Sequence, residues 1–138
     1  MILIDTNILV YAVSPGEPEK QARSREVLSE LMRTGRAALS LQNCAEFLRA
    51  ASLKPGSPIS LEDAHAQLRA WRNHMTILLP NMDTLDMATD GVIGHKLSFW
   101  DAMIWAVAEQ HGVEEILTED GPIGSTVGHV HFTNPFSS

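Results

Sequence analysis

The chain alternates short, fully apolar runs with longer stretches of helical periodicity. Met1-Ile2-Leu3-Ile4 is continuously apolar and stops at Asp5, the pattern of a strand buried on both faces of a parallel sheet. Ile8, Leu9, Tyr11 and Ala12 then predict a short helix, capped by Thr6 or Asn7 and ended by Ser14-Pro15-Gly16. Pro18 opens a second helix with Val27, Leu28, Leu31 and Met32 on one face and Gly35 as its stop. The opposite face carries Lys20, Arg23, Arg25 and Arg33, which read as solvated surface. A strand over residues 37–41 leads into NCAEFLRAASL, where Asn43 and Glu46 match a capping box at a helix start.

Lys54-Pro55-Gly56-Ser57-Pro58 is a loop, and Ser60 with Asp63 forms another capping box before Leu61, Ala64, Leu68 and Trp71 line one helix face. A strand over residues 76–79 follows, then a helix over residues 83–95 weakened by Gly91 and Gly94. Residues 99–108, FWDAMIWAVA, predict a helix buried on most of its circumference, opened by Ser98 and closed after Gln110-His111-Gly112. A strand over residues 113–117 runs into Thr118-Glu119-Asp120-Gly121, and a last strand spans residues 127–132. The order βαα-βαα-βαα-βα-β predicts a single α/β domain with an open, mostly parallel β-sheet flanked by helices.

Asp101 is the one polar side chain in FWDAMIWAVA. A buried aspartate must be protonated, paired or bound to a cation, since an isolated buried charge is costly. Ser98 and Asp101 also fit a capping box, which accounts for the acid without any site. The same pattern at Ser60 and Asp63 is read as structure alone. Asp5 stands at a strand's carboxyl end, Glu46 and Asp101 near helix starts, and Glu119 and Asp120 at another strand's carboxyl end. Right-handed crossovers would gather Asp5, Glu46, Asp101 and one or both of Glu119 and Asp120 at one sheet edge, where open α/β sheets bind ligands. Clustered carboxylates need protons or cations, and an all-oxygen donor set selects hard ions such as Mg²⁺ or Mn²⁺.

Composition narrows the classes. The 138 residues, 44% of them hydrophobic, suffice for one self-supporting core. The net charge of -7 opposes broad nucleic-acid binding, but residues 1–82 hold nine Lys/Arg against eight Asp/Glu, and residues 83–138 hold Lys96 alone against nine acids. That local excess suits a solvated face, a metal site or a basic partner. Cys44, the single cysteine, permits no internal disulfide and reads as an inert core thiol. With no apolar run of membrane-spanning length, and no basic leader or cleavage site in MILIDTN, no membrane association and a cytoplasmic location are expected. His129 and His131 would share a strand face but lack a third ligand, nucleotide-loop motifs are absent, and Trp71, Trp100 and Trp105 have core spacing.

ILIDTNILVYA, NCAEFLRA, SFWDAMIWAVAEQHG and ILTEDGPIG, in this order over nearly the whole chain, resemble the PIN-domain family and in particular its VapC-type ribonuclease toxins. The resemblance implies one PIN-like domain over residues 1–138 with a three-layer α/β/α build. It implies a Mg²⁺-dependent endoribonuclease, the toxin of a type II toxin–antitoxin pair. Its acids would be Asp5, Glu46, Asp101 and Asp120, with the metal held by Asp5, Asp101 and Asp120. Asp120 is the counterpart in the family's T-x-D pattern, Glu119 beside it is the alternative, and Thr6 and Ser98 would orient the acids. In-line attack by water would leave a 5′-phosphate and a 3′-hydroxyl. An RNA substrate, an antitoxin with a basic tail and a homodimer are the implied partners. Two other functions fit the residues: another Mg²⁺-dependent phosphohydrolase, and a non-catalytic module whose acidic groove receives a basic segment.

Overall fold

The computed structural model describes residues 1–136. Its elements run β1 (Ile2–Ile4), α1 (Thr6–Ala12), α2 (Pro18–Arg33), β2 (Ala37–Ser40), α3 (Leu41–Ser52), α4 (Leu61–Arg72), β3 (Thr76–Leu78), α5 (Met82–His95), α6 (Phe99–Gln110), β4 (Glu115–Leu117), β5 (Thr126–Val127) and β6 (Val130–Thr133). They form one six-stranded sheet in the order β3-β2-β1-β4-β6-β5, parallel except where β5 meets β6.

The strand alternation explains the layers. Ile2 and Ile4 of β1 and Ala37 and Leu39 of β2 point into a core with Ile8, Leu28, Phe47 and Trp71 from α1–α4. Leu3, Ala38 and Ile116 point the other way, into a second core with Ala88 of α5 and Ile104, Trp105 and Val107 of α6. Both faces of the central strands are therefore covered, and a fully buried side chain such as Phe47 contributes roughly 1.5–3 kcal/mol. The architecture is the three-layer α/β/α sandwich that the sequence predicts.

Several local expectations are corrected. Asp5, rather than Thr6 or Asn7, caps α1, because the chain turns into the helix directly at the end of β1. Helix α3 starts at Leu41, three residues earlier than predicted, with a reciprocal Ser40–Asn43 capping box in place of Asn43–Glu46. Asn81 and Thr84 form the box that opens α5. Ser60 and Ser98 each accept a bond from the third helical amide, from Asp63 and Asp101, without the reciprocal bond from the acid. The predicted strand over residues 127–132 is a tight hairpin, β5 and β6 turning at Gly128-His129, and no helix separates it from β4: residues 118–125 are a loop.

That turn separates the two histidines. His129 and its backbone N–H bond to Glu109 of α6, while His131 pairs with the Thr126 hydroxyl. Trp71 and Trp105 are core residues as expected, but Trp100, in the first turn of α6, is 60% exposed. Cys44 is buried, and burial raises its thiol pKa. No described helix is long and apolar enough to cross a membrane.

Candidate active site

Strand β1 lies between β2 and β4, so the chain winds outward to β3 and returns on the other side of β1. The carboxyl ends of β1 and β4 are adjacent at this reversal, and a crevice opens there. It is a cavity of about 410 Å³ lined by Asp5, Glu46, Asp101 and Asp120, with Thr6, Asn7 and Trp100 among the neighbours. Four separate segments each contribute one acid: the β1 end, the second turn of α3, the first turn of α6 and the loop after β4. A larger surface cleft, about 530 Å³ along α2, holds only Arg23–Glu26 and Arg33–Glu30 pairs one helical turn apart and gathers no comparable group.

Asp5 is the most constrained of the four. Its Oδ1 accepts from the Thr6 N–H at 2.7 Å and the Asn43 amide at 3.2 Å, and its Oδ2 from the Thr118 hydroxyl at 2.8 Å. Burial pushes its carboxyl pKa above the ordinary value; the bonds from Thr118 and Thr6 oppose this, and the negative charges of Asp101 and Glu46 add to it. Asp101 and Glu46 thus both lie within electrostatic reach of Asp5.

The early start of α3 frees Glu46 from capping. Its Oε2 accepts from the Thr6 hydroxyl at 3.0 Å and its Oε1 from Gln42 at 3.2 Å, so Thr6 links the neighbourhoods of Asp5 and Glu46. Asp101 is likewise not consumed by its cap, since only its backbone N–H bonds to Ser98, at 3.3 Å. Half-buried, its carboxylate faces the loop after β4: a Cβ added to Gly121 would stand 3.7 Å from Asp101 Oδ2. Gly121 has φ 94, a left-handed conformation that brings bare backbone to the acid.

The structure separates Glu119 from Asp120. The Glu119 carboxylate turns away from the crevice to pair with Lys20 at 2.9 Å and accept from Tyr11 at 3.2 Å. Asp120 lines the crevice and accepts from the Asn7 amide at 3.4 Å. Lys20, which its helix face predicts to be a free surface cation, is instead paired with Glu119 while its side chain stays partly exposed. Asn43, Thr118 and Asn7 were hidden as site residues, because their types and positions signal caps and turns equally well.

Among the described residues no Lys, Arg or His pairs with Asp5, Glu46, Asp101 or Asp120. No three His, Cys, Asp or Glu side chains of the described residues are grouped closely enough to share one ion as they stand. A four-ligand cage of the zinc type is thus not present, whereas Mg²⁺ characteristically uses one or two carboxylates and keeps several waters. Carboxylates around an open crevice, with no pairing cation among the described residues, fit such a hard ion.

A family model for the PIN domain matches residues 2–123. The chain belongs to the PIN-domain family. Among solved structures, a toxin–antitoxin complex from Klebsiella pneumoniae is similar over 100% of this chain and 100% of that one, at 20% identity and a TM-score of 0.69. VapC20 of Mycobacterium tuberculosis, a toxin that cleaves the sarcin–ricin loop, matches over 84% of this chain and 87% of its own, at 16% identity and a TM-score of 0.63. VapBC2 from Rickettsia felis, bound to a DNA fragment from its promoter, matches over 97% of this chain and 98% of that one, at 16% identity and a TM-score of 0.67. At these identities the PIN chain shares the neighbours' fold. A comparison with curated proteins finds no match.

Proposed function

We propose that this PIN domain is a divalent-metal-dependent endoribonuclease and the toxin of a type II toxin–antitoxin pair. The observation that carries the reading is the convergence of Asp5, Glu46, Asp101 and Asp120 on one crevice, without a pairing cation among the described residues. Membership of the PIN family and the likeness in fold to toxin structures support it.

Asp5, Asp101 and Asp120 would hold the ion, Mg²⁺ or in its place Mn²⁺, one or two of them directly and the rest through waters the ion keeps. A bound ion supplies charge neutralisation, polarisation of a phosphodiester oxygen and a lowered pKa for water. The protein supplies position. Thr6, Asn43 and Thr118 fix both oxygens of Asp5, and Thr6 and Gln42 fix those of Glu46, so these acids meet substrate already oriented. The backbone N–H of Asp120 on Thr118 at 3.1 Å ties the last acid to the same hydroxyl that holds Asp5. No side chain of the set forms a covalent bond to RNA in this scheme; water attacks in line, leaving a 5′-phosphate and a 3′-hydroxyl.

Two partners follow from the surface. An acidic crevice suits an antitoxin tail whose Arg or Lys takes the cation's place. A homodimer is supported by the exposed apolar side chains Leu79, Met82 and Trp100, the last of which borders an apolar hollow of about 200 Å³ with Leu41 and Met103.

RNA cleavage followed in three arms tests the reading: with Mg²⁺, after EDTA, and with the product of the neighbouring gene added. Cleavage giving 5′-phosphate ends only in the first arm is expected, and the ion should stabilise the fold by ~2.7 kcal/mol at a hundredfold excess over its dissociation constant. Cleavage that survives EDTA defeats the metal mechanism, and a harmless chain with no binding partner defeats the toxin assignment.

A further inference from the structure

Lys20 lies on α2, outside the crevice, yet it is bound more completely than a surface cation needs to be. An ammonium has three donors, and Lys20 directs them to Glu119 Oε1 at 2.9 Å, Glu119 Oε2 at 3.0 Å and the Tyr11 hydroxyl at 3.3 Å. Its Nζ also stands 4.8 Å from the Tyr11 ring centre and 5.6 Å from that of Phe136, and these two rings meet edge to face at 5.3 Å. The segment bearing Phe136 is itself fastened by Arg23, which donates to the Pro135 carbonyl at 2.9 Å. Helix α1, helix α2, the loop after β4 and the chain's last described residues thus meet on one ion pair.

Glu119 directly precedes Asp120. With the Glu119 side chain held on the α2 side, its N–H reaches Asn7 Oδ1 at 3.3 Å, and the other end of the same amide reaches Asp120 Oδ2. We infer that Lys20 is a positioning residue for the acid site: by anchoring Glu119 it sets the loop after β4 so that Asp120, and not Glu119, faces the crevice. An unanchored Glu119 would add a carboxylate beside four others with no fixed direction and would loosen the Asn7 bridge that aims Asp120. The inference rests on the reading of the crevice as a metal site for RNA cleavage, but the loop's order is measurable without metal or substrate.

The test compares the wild type with Lys20→Met, which keeps the stem and removes the charge, and with the reversed pair Lys20→Glu/Glu119→Lys. Amide hydrogen exchange of the metal-free protein, Mn²⁺ binding by calorimetry and RNA cleavage are read for each. Lys20→Met should exchange faster at the Glu119 and Asp120 amides while the sheet amides keep their protection. Its Mn²⁺ dissociation constant should rise by ~10–100-fold, as for other residues that orient metal-binding side chains. The reversed pair should recover most of both losses, which a general packing defect would not do. Unchanged exchange and unchanged Mn²⁺ affinity in Lys20→Met, or no recovery in the reversed pair, overturn the inference. A wild type that neither binds Mn²⁺ nor cleaves RNA overturns the function and the metal part of the inference with it, while the exchange result still judges the anchoring by itself.

Discussion

Burial and like charge converge on Asp5, and together they set its pH behaviour. Because burial, reinforced by Asp101 and Glu46, raises its carboxyl pKa in the folded protein, the folded state binds more protons than the unfolded one between the ordinary and the raised values. Stability from this group is therefore lost as pH rises from about pH 4 upward. Without metal, Asp5→Asn should flatten that part of the stability profile and match or exceed the wild type at pH 7 in chemical unfolding. A loss of more than about 1 kcal/mol at pH 7, the size of an ordinary hydrogen bond, would mean that the bonds to Thr118 and Thr6 outweigh burial and repulsion together. At this scale Asp101 was legible because it interrupts an apolar helix. The roles of Asn43 and Thr118 were not, since the same residue types cap helices and close turns anywhere, and Lys20 finds Glu119 only across 99 positions of sequence.

Among the elements, α5 shows why a glycine that weakens a helix can be needed there. Gly91 faces α6, and a Cβ built on it would lie 2.8 Å from the Trp105 ring, whereas one on Gly94 would meet nothing within 4 Å. Trp105 is itself fixed by its indole N–H on the Val127 carbonyl at 2.9 Å, so it has little room to yield. Gly94→Ala should stabilise by up to ~1 kcal/mol through helix propensity. Gly91→Ala gains the same propensity but incurs ~1–3 kcal/mol of overpacking, so its melting temperature should stay level or fall. A rise for both variants would show that Trp105 moves freely. Periodicity made most of these elements legible, because apolar strands and amphipathic helices are set by local pattern. The hairpin at Gly128-His129 was hidden since apolar residues continue on both sides of it, and its turn is held by Glu109 from a distant helix.

For the molecule as a whole, topology accomplishes what no segment does alone. Four acids dispersed from Asp5 to Asp120 share a crevice because β1 and β4 are neighbours at the winding reversal; the βα alternation foresaw the shared sheet edge but not the strand order. The net charge of -7 makes the bare surface repel RNA, so a cation in the crevice would serve both for binding and for cleavage. The most direct measurement pairs Asp101→Asn, in the crevice, with Asp63→Asn, at an equivalent position after a serine cap but outside it. Mg²⁺ titration and RNA cleavage are followed for both, with metal-free melting as the control for folding. Asp101→Asn should melt no lower than the wild type without metal, bind Mg²⁺ weakly and lose cleavage by orders of magnitude, while Asp63→Asn should lose roughly 0.3–1 kcal/mol of stability and cleave normally. If Asp101→Asn binds Mg²⁺ and cleaves RNA as the wild type does, or if the two variants behave alike, the crevice is not the catalytic site.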